Sequence, residues 1–480
     1  MKAATVKSPN EELIATIVQE VLERLPPQVT TPLRRESSGR DGVFATVDEA
    51  VGAAREAQKR LAALGLDERG RMVAAIRRLC EANAEEWGKA ELAETKIGRL
   101  DHKIEKLRLV KRVLGVEVMR TEVRTDVDGY CLIEPSPWGV VGMALPATHS
   151  APTLASNAIN VLASGNTAVF SPHPAAARIA ARALQAFNRA IEEETGLRDA
   201  LCCVESPSIE STQELFRHPD VALICVTGGP AVVRAAMGTG KRVIAAGPGN
   251  PPVLVDPCAD LDQAARDIVA GASFDNNLLC IGEKEVFVVE RAAAELVAAM
   301  KRARAELLDE RQIEALTRAA FTFDEKGGKR RAHVKGELVG RDPRVLAEAA
   351  GFRVPEGTEL LFGETPEDHP FVQEEQMMPF LPIVRVRNTE AGIEAARRAE
   401  HGYRHTALIH SRKLENVTEM ARVLNTTLFV HNAPCSAALG LGGPGYLSYS
   451  IATPTGEGVT TPLTFTRQRQ ITLRGPLRIF

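Results

Sequence analysis

The 480-residue sequence predicts an α/β protein with two parallel sheets, each covered by helices. The first observation is a repeated strand–turn–helix pattern from Trp138 onward, with continuous apolar strand runs, which marks sheets buried on both faces. The second is that this alternation breaks near Pro252 and then resumes, giving two such units. The third is the length itself, which exceeds one core at roughly 100–200 residues per domain.

Residues 8–25 read as an amphipathic helix. Ser8 caps it, Pro9 suits the first helical position and Glu11 completes a capping box. Leu13, Ile14, Ile17, Val18, Val21, Leu22 and Leu25 form one apolar stripe, and Pro26-Pro27 ends the helix. A polar linker follows, to about residue 44. A helix this short is marginal alone, so its stripe must find a surface, either on this molecule and its copies or on another protein. Residues 46–115 read as all-helical, opened by a Thr46/Glu49 capping box. Residues 116–136 alternate as a hairpin does.

Next come a strand at Gly139–Leu145, a helix at Leu154–Leu162, a strand at Thr167–Phe170, a helix at Ala175–Glu193 and a strand at Ala200–Val204. Strands at Val221–Val226 and Arg242–Ala246 flank a helix that ends at Met237. This is a nucleotide-domain pattern, and such sheets bind ligands at the carboxyl ends of their strands. In the second unit, Leu261–Gly271 and Ala292–Leu307 read as helices around a strand at Glu285–Glu290. Strands at Leu381–Val386, Ala407–His410 and Thr427–Val430 alternate with helices at Thr389–Arg398 and Lys413–Leu424. The tail, Thr460–Phe480, reads as an edge strand.

Composition excludes several classes. A net charge of −3 with 25% charged residues gives no bulk electrostatic sign of a nucleic-acid or membrane partner. No apolar run reaches the ~18 residues of a membrane helix. The charged N-terminus does not read as a secretory signal. Eight cysteines are scattered without metal-ligand spacing, which fits free thiols in a reducing cytoplasm and no metal site.

Among those cysteines, Cys280 ends a polar turn, Ser273-Phe-Asp-Asn-Asn277, just before a strand. Loops held by a rigid scaffold are where reactive groups are presented. A thiolate there can attack an aldehyde, and the amides of Asn276 and Asn277 or the Cys280 N–H can donate to the resulting oxyanion. By itself Cys280 is a weak signal that reads more readily as a structural thiol. Gly247 and Gly249, in Ala246-Gly-Pro-Gly-Asn-Pro-Pro252, permit either close approach of a ligand or a tight interdomain turn. Thr227-Gly228-Gly229-Pro230 leads from a strand into a helix N-terminus, which suits a phosphate or a nicotinamide.

Together these stretches resemble the aldehyde dehydrogenase superfamily, and more narrowly the CoA-acylating members of bacterial microcompartments. The resemblance also rests on Glu134-Pro-Ser-Pro-Trp-Gly-Val-Val-Gly142, Leu162–Pro174, His401–Ala407 and Ile451–Gly458, which span nearly the whole chain in order. It implies two Rossmann-like α/β domains with a small β oligomerisation extension. Residues 45–252 would bind NAD and coenzyme A and carry the hairpin within 118–136. Residues 253–440 would be the catalytic domain, and 441–480 would return to the cofactor domain and supply the last oligomerisation strand. It further implies Cys280 as nucleophile with Asn277 and Thr148 beside it. Thr227, Gly228, Gly229, Pro172, His173, Gly247, Gly249 and Glu375 would contact cofactor, Glu375 at the nicotinamide ribose. Residues 1–25 would be an encapsulation helix that docks on a shell protein, placing a homodimer or homotetramer in a microcompartment lumen. The implied substrate is a two- or three-carbon aldehyde.

Two departures from the family pattern stand out. His149-Ser150 replaces Asn-Pro. The carboxylate that activates water in hydrolytic relatives would fall near Ala246, and no carboxylate occurs between Arg242 and Val255. Acyl transfer to coenzyme A is therefore expected rather than hydrolysis. The remaining readings are a hydrolytic dehydrogenase and a catalytically silent shell-bound scaffold.

Overall fold

The structure is a computed structural model that describes residues 41–326 and 329–475. The expected helix at 8–25 and nearly all of the linker lie outside the described residues.

The first sheet is parallel and six-stranded. Its order is Val43–Phe44, Leu201–Val204, Thr167–Pro172, Val140–Leu145, Val221–Thr227 and Arg242–Ala246. Val140–Leu145 and Thr167–Pro172 are buried along their whole length, as their apolar runs require. Helices Ser150–Ala163 and Ala177–Thr195 cover one side. The second ends at Gly196, whose φ of 71° is the left-handed cap that glycine adopts without a Cβ penalty. Helix Val47–Leu61 has the expected capping box, with Thr46 Oγ1 accepting from Glu49 N–H at 3.3 Å.

The second sheet is parallel and seven-stranded. Its order is Ala305–Leu307, Leu360–Glu364, Phe380–Val386, Glu285–Val289, Pro252–Val255, Thr406–His410 and Leu428–His431. Among the described residues no helix is long and apolar enough to cross a membrane.

A separate antiparallel sheet joins Glu122–Asp126, Gly129–Pro137 and Thr466–Arg474. Its pairings Val123↔Leu132, Leu132↔Ile471 and Tyr130↔Leu473 put five apolar side chains on one face. Val123 and Leu473 on that face are exposed.

Two local expectations are corrected. Residues 116–118 form a 3-10 turn, so the hairpin starts only at Glu122. The segment expected as one helix over 292–307 is a helix at Glu290–Arg302 and an edge strand at Ala305–Leu307, separated by Arg304 in the left-handed region at φ 68°. Helices Ile209–Arg217 and Glu310–Ala320, and the hairpin Phe321–Lys326/Lys329–Val334, have no counterpart in the sequence reading.

Candidate active site

Parallel register gathers the site. In the second sheet, Phe380–Val386, Glu285–Val289, Pro252–Val255 and Thr406–His410 are consecutive neighbours. Glu375, Cys280, Gly249 and His405 all lie in the segments that enter those strands, so they converge on one amino edge. In the first sheet the registers Leu145↔Pro172, Ala144↔Val226 and Thr227↔Ala246 align the carboxyl ends of four adjacent strands. The stretch Gly247–Pro251 joins the two edges, and its five residues span at most roughly 18 Å. The carboxyl edge of one sheet therefore opposes the amino edge of the other, with Cys280 at the junction.

Cys280 is half-buried. Burial first, then the nearby Glu375 carboxylate, pushes its thiol up to about 12, against the Lys284 ammonium and the backbone N–H groups of Cys280 and Ile281. Those two N–H groups face the sulfur. Lys284 is fully buried and donates to the carbonyls of Asn277 at 2.9 Å and Leu279 at 3.2 Å, and also to the Asn277 side chain. It ties the turn to the strand behind it. Burial holds the Glu375 carboxyl up at about 7, and Glu375 accepts from Gly249 N–H at 3.2 Å. His405 is buried, with Nδ1 on Thr406 Oγ1 at 2.8 Å and Nε2 unpartnered. Burial and the Lys284 charge lower it to about 4, so the ring is neutral at pH 7.

The structure corrects the expected donor role of the turn. Asn277 Nδ2 donates to the carbonyls of Ala272 and Glu283, both at 2.9 Å, and Asn276 Nδ2 to Gly340 at 3.0 Å and to Asp342 Oδ1 at 2.8 Å. Both amides are spent on holding the turn, Asn277 on its flanks and Asn276 on residues 340–342, which leaves backbone N–H groups as the donors at the sulfur. The two linker glycines admit protein rather than ligand. A Cβ on Gly247 would lie 2.8 Å from Pro454, and one on Gly249 would lie 2.7 Å from the Cys280 carbonyl and 2.8 Å from the His405 ring.

At the opposing edge, the Thr227 hydroxyl bonds Ser450 Oγ at 2.6 Å, which in turn donates to Asn157 Oδ1 at 3.1 Å. Gly228 N–H donates to the Ala246 carbonyl at 3.2 Å, fixing the turn. Gly229 precedes helix Pro230–Met237 with no side-chain cap, and a Cβ there would meet open space. The first N–H groups of that helix thus face an open edge, which fits an anionic cofactor. Pro172 ends its strand two positions along the sheet, and His173 Nδ1 accepts from Ala175 N–H at 3.1 Å. His173 is thus built into the local turn. Thr148 Oγ1 pairs with His149 Nδ1 at 2.8 Å. His149 is buried and held well below its ordinary value, first by burial and then by the Lys106 charge.

A small cavity of about 10 Å³ is lined by Leu109, Phe274, Leu279, Leu447 and Tyr449 among others.

A family model described as the aldehyde dehydrogenase family matches residues 37–444. The chain belongs to the aldehyde dehydrogenase family. This aldehyde dehydrogenase is 45% identical to an acetaldehyde dehydrogenase (acetylating) of Salmonella typhimurium, over 91% of this chain and 93% of that one. It is 37% identical to a propanal dehydrogenase (CoA-propanoylating) of Citrobacter freundii, over 97% and 98%. A solved propionaldehyde dehydrogenase from the fucose utilisation microcompartment of Clostridium phytofermentans superposes with a TM-score of 0.88 at 39% identity, covering 92% of this chain and 100% of that one. One from Rhodopseudomonas palustris, with bound CoA and an acylated cysteine, gives a TM-score of 0.87 at 38% identity over 90% and 98%.

Sequence reasoning assigned no role to Lys284 or His405. The signal present was the charged run Glu283-Lys284-Glu285 directly ahead of an apolar strand. All three of those residues are buried.

Proposed function

We propose that this aldehyde dehydrogenase oxidises a two- or three-carbon aldehyde with NAD and passes the acyl group to coenzyme A, with Cys280 as the nucleophile. The observation that carries this reading is the position of Cys280 at the junction of the two sheet edges, opposite a stretch, Arg242–Val255, that holds no carboxylate.

Cys280 adds to the aldehyde carbon, and the backbone N–H groups beside the sulfur receive the oxyanion. Lys284 keeps the turn in register and its positive charge favours the thiolate. Thr227, Gly228 and Gly229 at the carboxyl edge, with Pro172 and His173 further along, hold NAD, and Glu375 holds its ribose. NAD, when bound, supplies the hydride acceptor. Cys280 is left as a thioester. With no carboxylate in the stretch Arg242–Val255 to activate water, that thioester persists until the coenzyme A thiol takes the acyl group.

The assembly reading extends this. The exposed apolar face of the three-stranded sheet packs against a second copy, giving a homodimer or homotetramer. The segment of residues 8–25, whose apolar spacing is that of an amphipathic helix, docks the enzyme on a shell protein inside a microcompartment.

The test is NADH formation from propionaldehyde and NAD, with and without coenzyme A, in wild type and Cys280→Ala. Sustained turnover only with coenzyme A, lost in the variant, is expected. Steady turnover without coenzyme A would replace this reading with a hydrolytic enzyme. For targeting, a chain lacking residues 1–27 should keep its activity and lose co-purification with shells.

A further inference from the structure

Lys103 and Lys106 lie three apart on helix Leu100–Leu109 and are each only 1% exposed. The mechanism above uses neither. Lys103 pairs with buried Glu91 at 3.2 Å, and Glu91 accepts from Ala151 N–H at 3.1 Å. Lys106 pairs with Asp275, which is wholly buried. Lys106 Nζ also donates to the Thr148 carbonyl at 3.2 Å. One ammonium therefore ties the loop after strand Val140–Leu145 to the turn that leads into Cys280.

That turn is strained. Asp275, Asn276 and Asn277 are consecutive at φ 50°, 56° and 65°, a left-handed region that Asp and Asn enter singly but that a run of three residues holds only at a cost. Such a run persists only where its surroundings over-determine it. Asn276 and Asn277 are tied by their own amides. Asp275 is tied by Lys106, by Arg99 N–H at 2.7 Å and through its own N–H to His102 Nδ1 at 2.8 Å. The helix bearing Lys106 is fixed in turn by the Tyr449 hydroxyl, which donates to the Lys106 carbonyl at 2.8 Å.

Buried ion pairs are poor stability devices, because apolar replacements of similar volume are often neutral or stabilising. What these pairs fix is a distance between two loops. We propose that Lys106 is a positioning residue, which through Asp275 and the Thr148 carbonyl sets Cys280 against the loop that follows strand Val140–Leu145. The proposal rests on the reading of Cys280 as nucleophile.

The test is the double variant Lys106→Met/Asp275→Asn. It removes both charges, keeps an acceptor for Arg99 N–H and places asparagine in a backbone region it tolerates. Active enzyme is counted by iodoacetamide labelling of Cys280, and kcat is expressed per labelled site. The expected result is a little-changed melting temperature, a fall in kcat on the order of 100-fold and a KM for NAD within about twofold of wild type. Lys106→Leu/Asp275→Asn, which also removes both charges, serves if the methionine variant does not fold, with a fall in the same direction expected. Cys280→Ala runs alongside. If Cys280→Ala is inactive but the charge variants keep kcat within about threefold of wild type, positioning is overturned and the nucleophile stands. A loss of rate explained wholly by fewer labelled sites overturns it too. Turnover by Cys280→Ala would overturn the nucleophile and this proposal together.

Discussion

A Cβ on Gly249 would stand 2.7 Å from the carbonyl oxygen of Cys280. The linker between the two sheets therefore touches the backbone of the proposed nucleophile directly. Because Gly249 N–H also holds Glu375, one residue fixes two parts of the site. Gly249→Ala must push either the Cys280 carbonyl or the buried His405 ring. Overpacking of this kind costs about 1–3 kcal/mol. The expected outcome is a melting temperature lower by a few degrees and kcat lower by roughly 10-fold or more, since small displacements at a reacting centre are expensive. Unchanged kcat in Gly249→Ala would show that the linker is not part of the site's geometry.

Lys284→Met tests the brace beneath the turn. The substitution strips donors from the carbonyls of Asn277 and Leu279, and each buried acceptor left unsatisfied costs about 1–3 kcal/mol. It also removes the cation that favours the Cys280 thiolate. Stability and reactivity should fall together. Iodoacetamide should label Cys280 more slowly than in wild type at every alkaline pH, and thermal unfolding should shift down. Labelling as fast as wild type would mean that Lys284 holds the turn without acting on the sulfur.

Legibility in the sequence divided along a physical line. Where burial is one-sided or complete, pattern sufficed: the continuous apolar runs at Val140–Leu145 and Val221–Thr227 mark strands, and the stripe of Ala177–Thr195 marks a helix. The strand Ala305–Leu307 escaped because its three residues follow a helix with only Arg304, in a left-handed conformation, as punctuation. Cys280 drew attention through the family resemblance of its surroundings, since its place at the end of a polar turn before a strand fits a structural thiol more readily. Lys106 and Lys284 did not. A lysine on an amphipathic pattern reads as solvated, and only tertiary packing puts Asp275 or the Asn277 carbonyl at its tip. His405 needed the parallel register, which alone brings residues 249, 280, 375 and 405 to one edge.

Glu375→Gln gives a prediction with a definite sign. Glu375 has its carboxyl at about 7, while the Cys280 thiol is held up at about 12. Wherever the thiol titrates, Glu375 is already ionised and opposes the thiolate. Glutamine keeps an acceptor for Gly249 N–H and removes the charge. The midpoint of the pH profile for Cys280 alkylation should therefore move down in the variant. Below pH 7, where Glu375 is itself protonated, the two profiles should converge. An upward shift would mean that the carboxylate acts on the thiol mainly as a proton acceptor, and no shift would place it out of electrostatic reach.

The three-stranded sheet presents an apolar face of its own. Val123 and Leu473 are 52% and 48% exposed on a face they share with Tyr130, Leu132 and Ile471. The strand Thr466–Arg474 pairs along the whole of Gly129–Pro137, so this face is rigid and preformed. A preformed apolar face at the rim of a sheet suits docking against another copy, where burying it contributes about 25 cal/mol per Å² of apolar surface. Two glutamates, Val123→Glu and Leu473→Glu, would be desolvated by that contact at a cost the interface cannot recover. Both positions lie far along the chain from the Cys280 turn, and each monomer should keep its melting cooperativity. Sedimentation should show the double variant as a smaller species than wild type. An unchanged sedimentation coefficient would mean that copies of the chain associate through another surface.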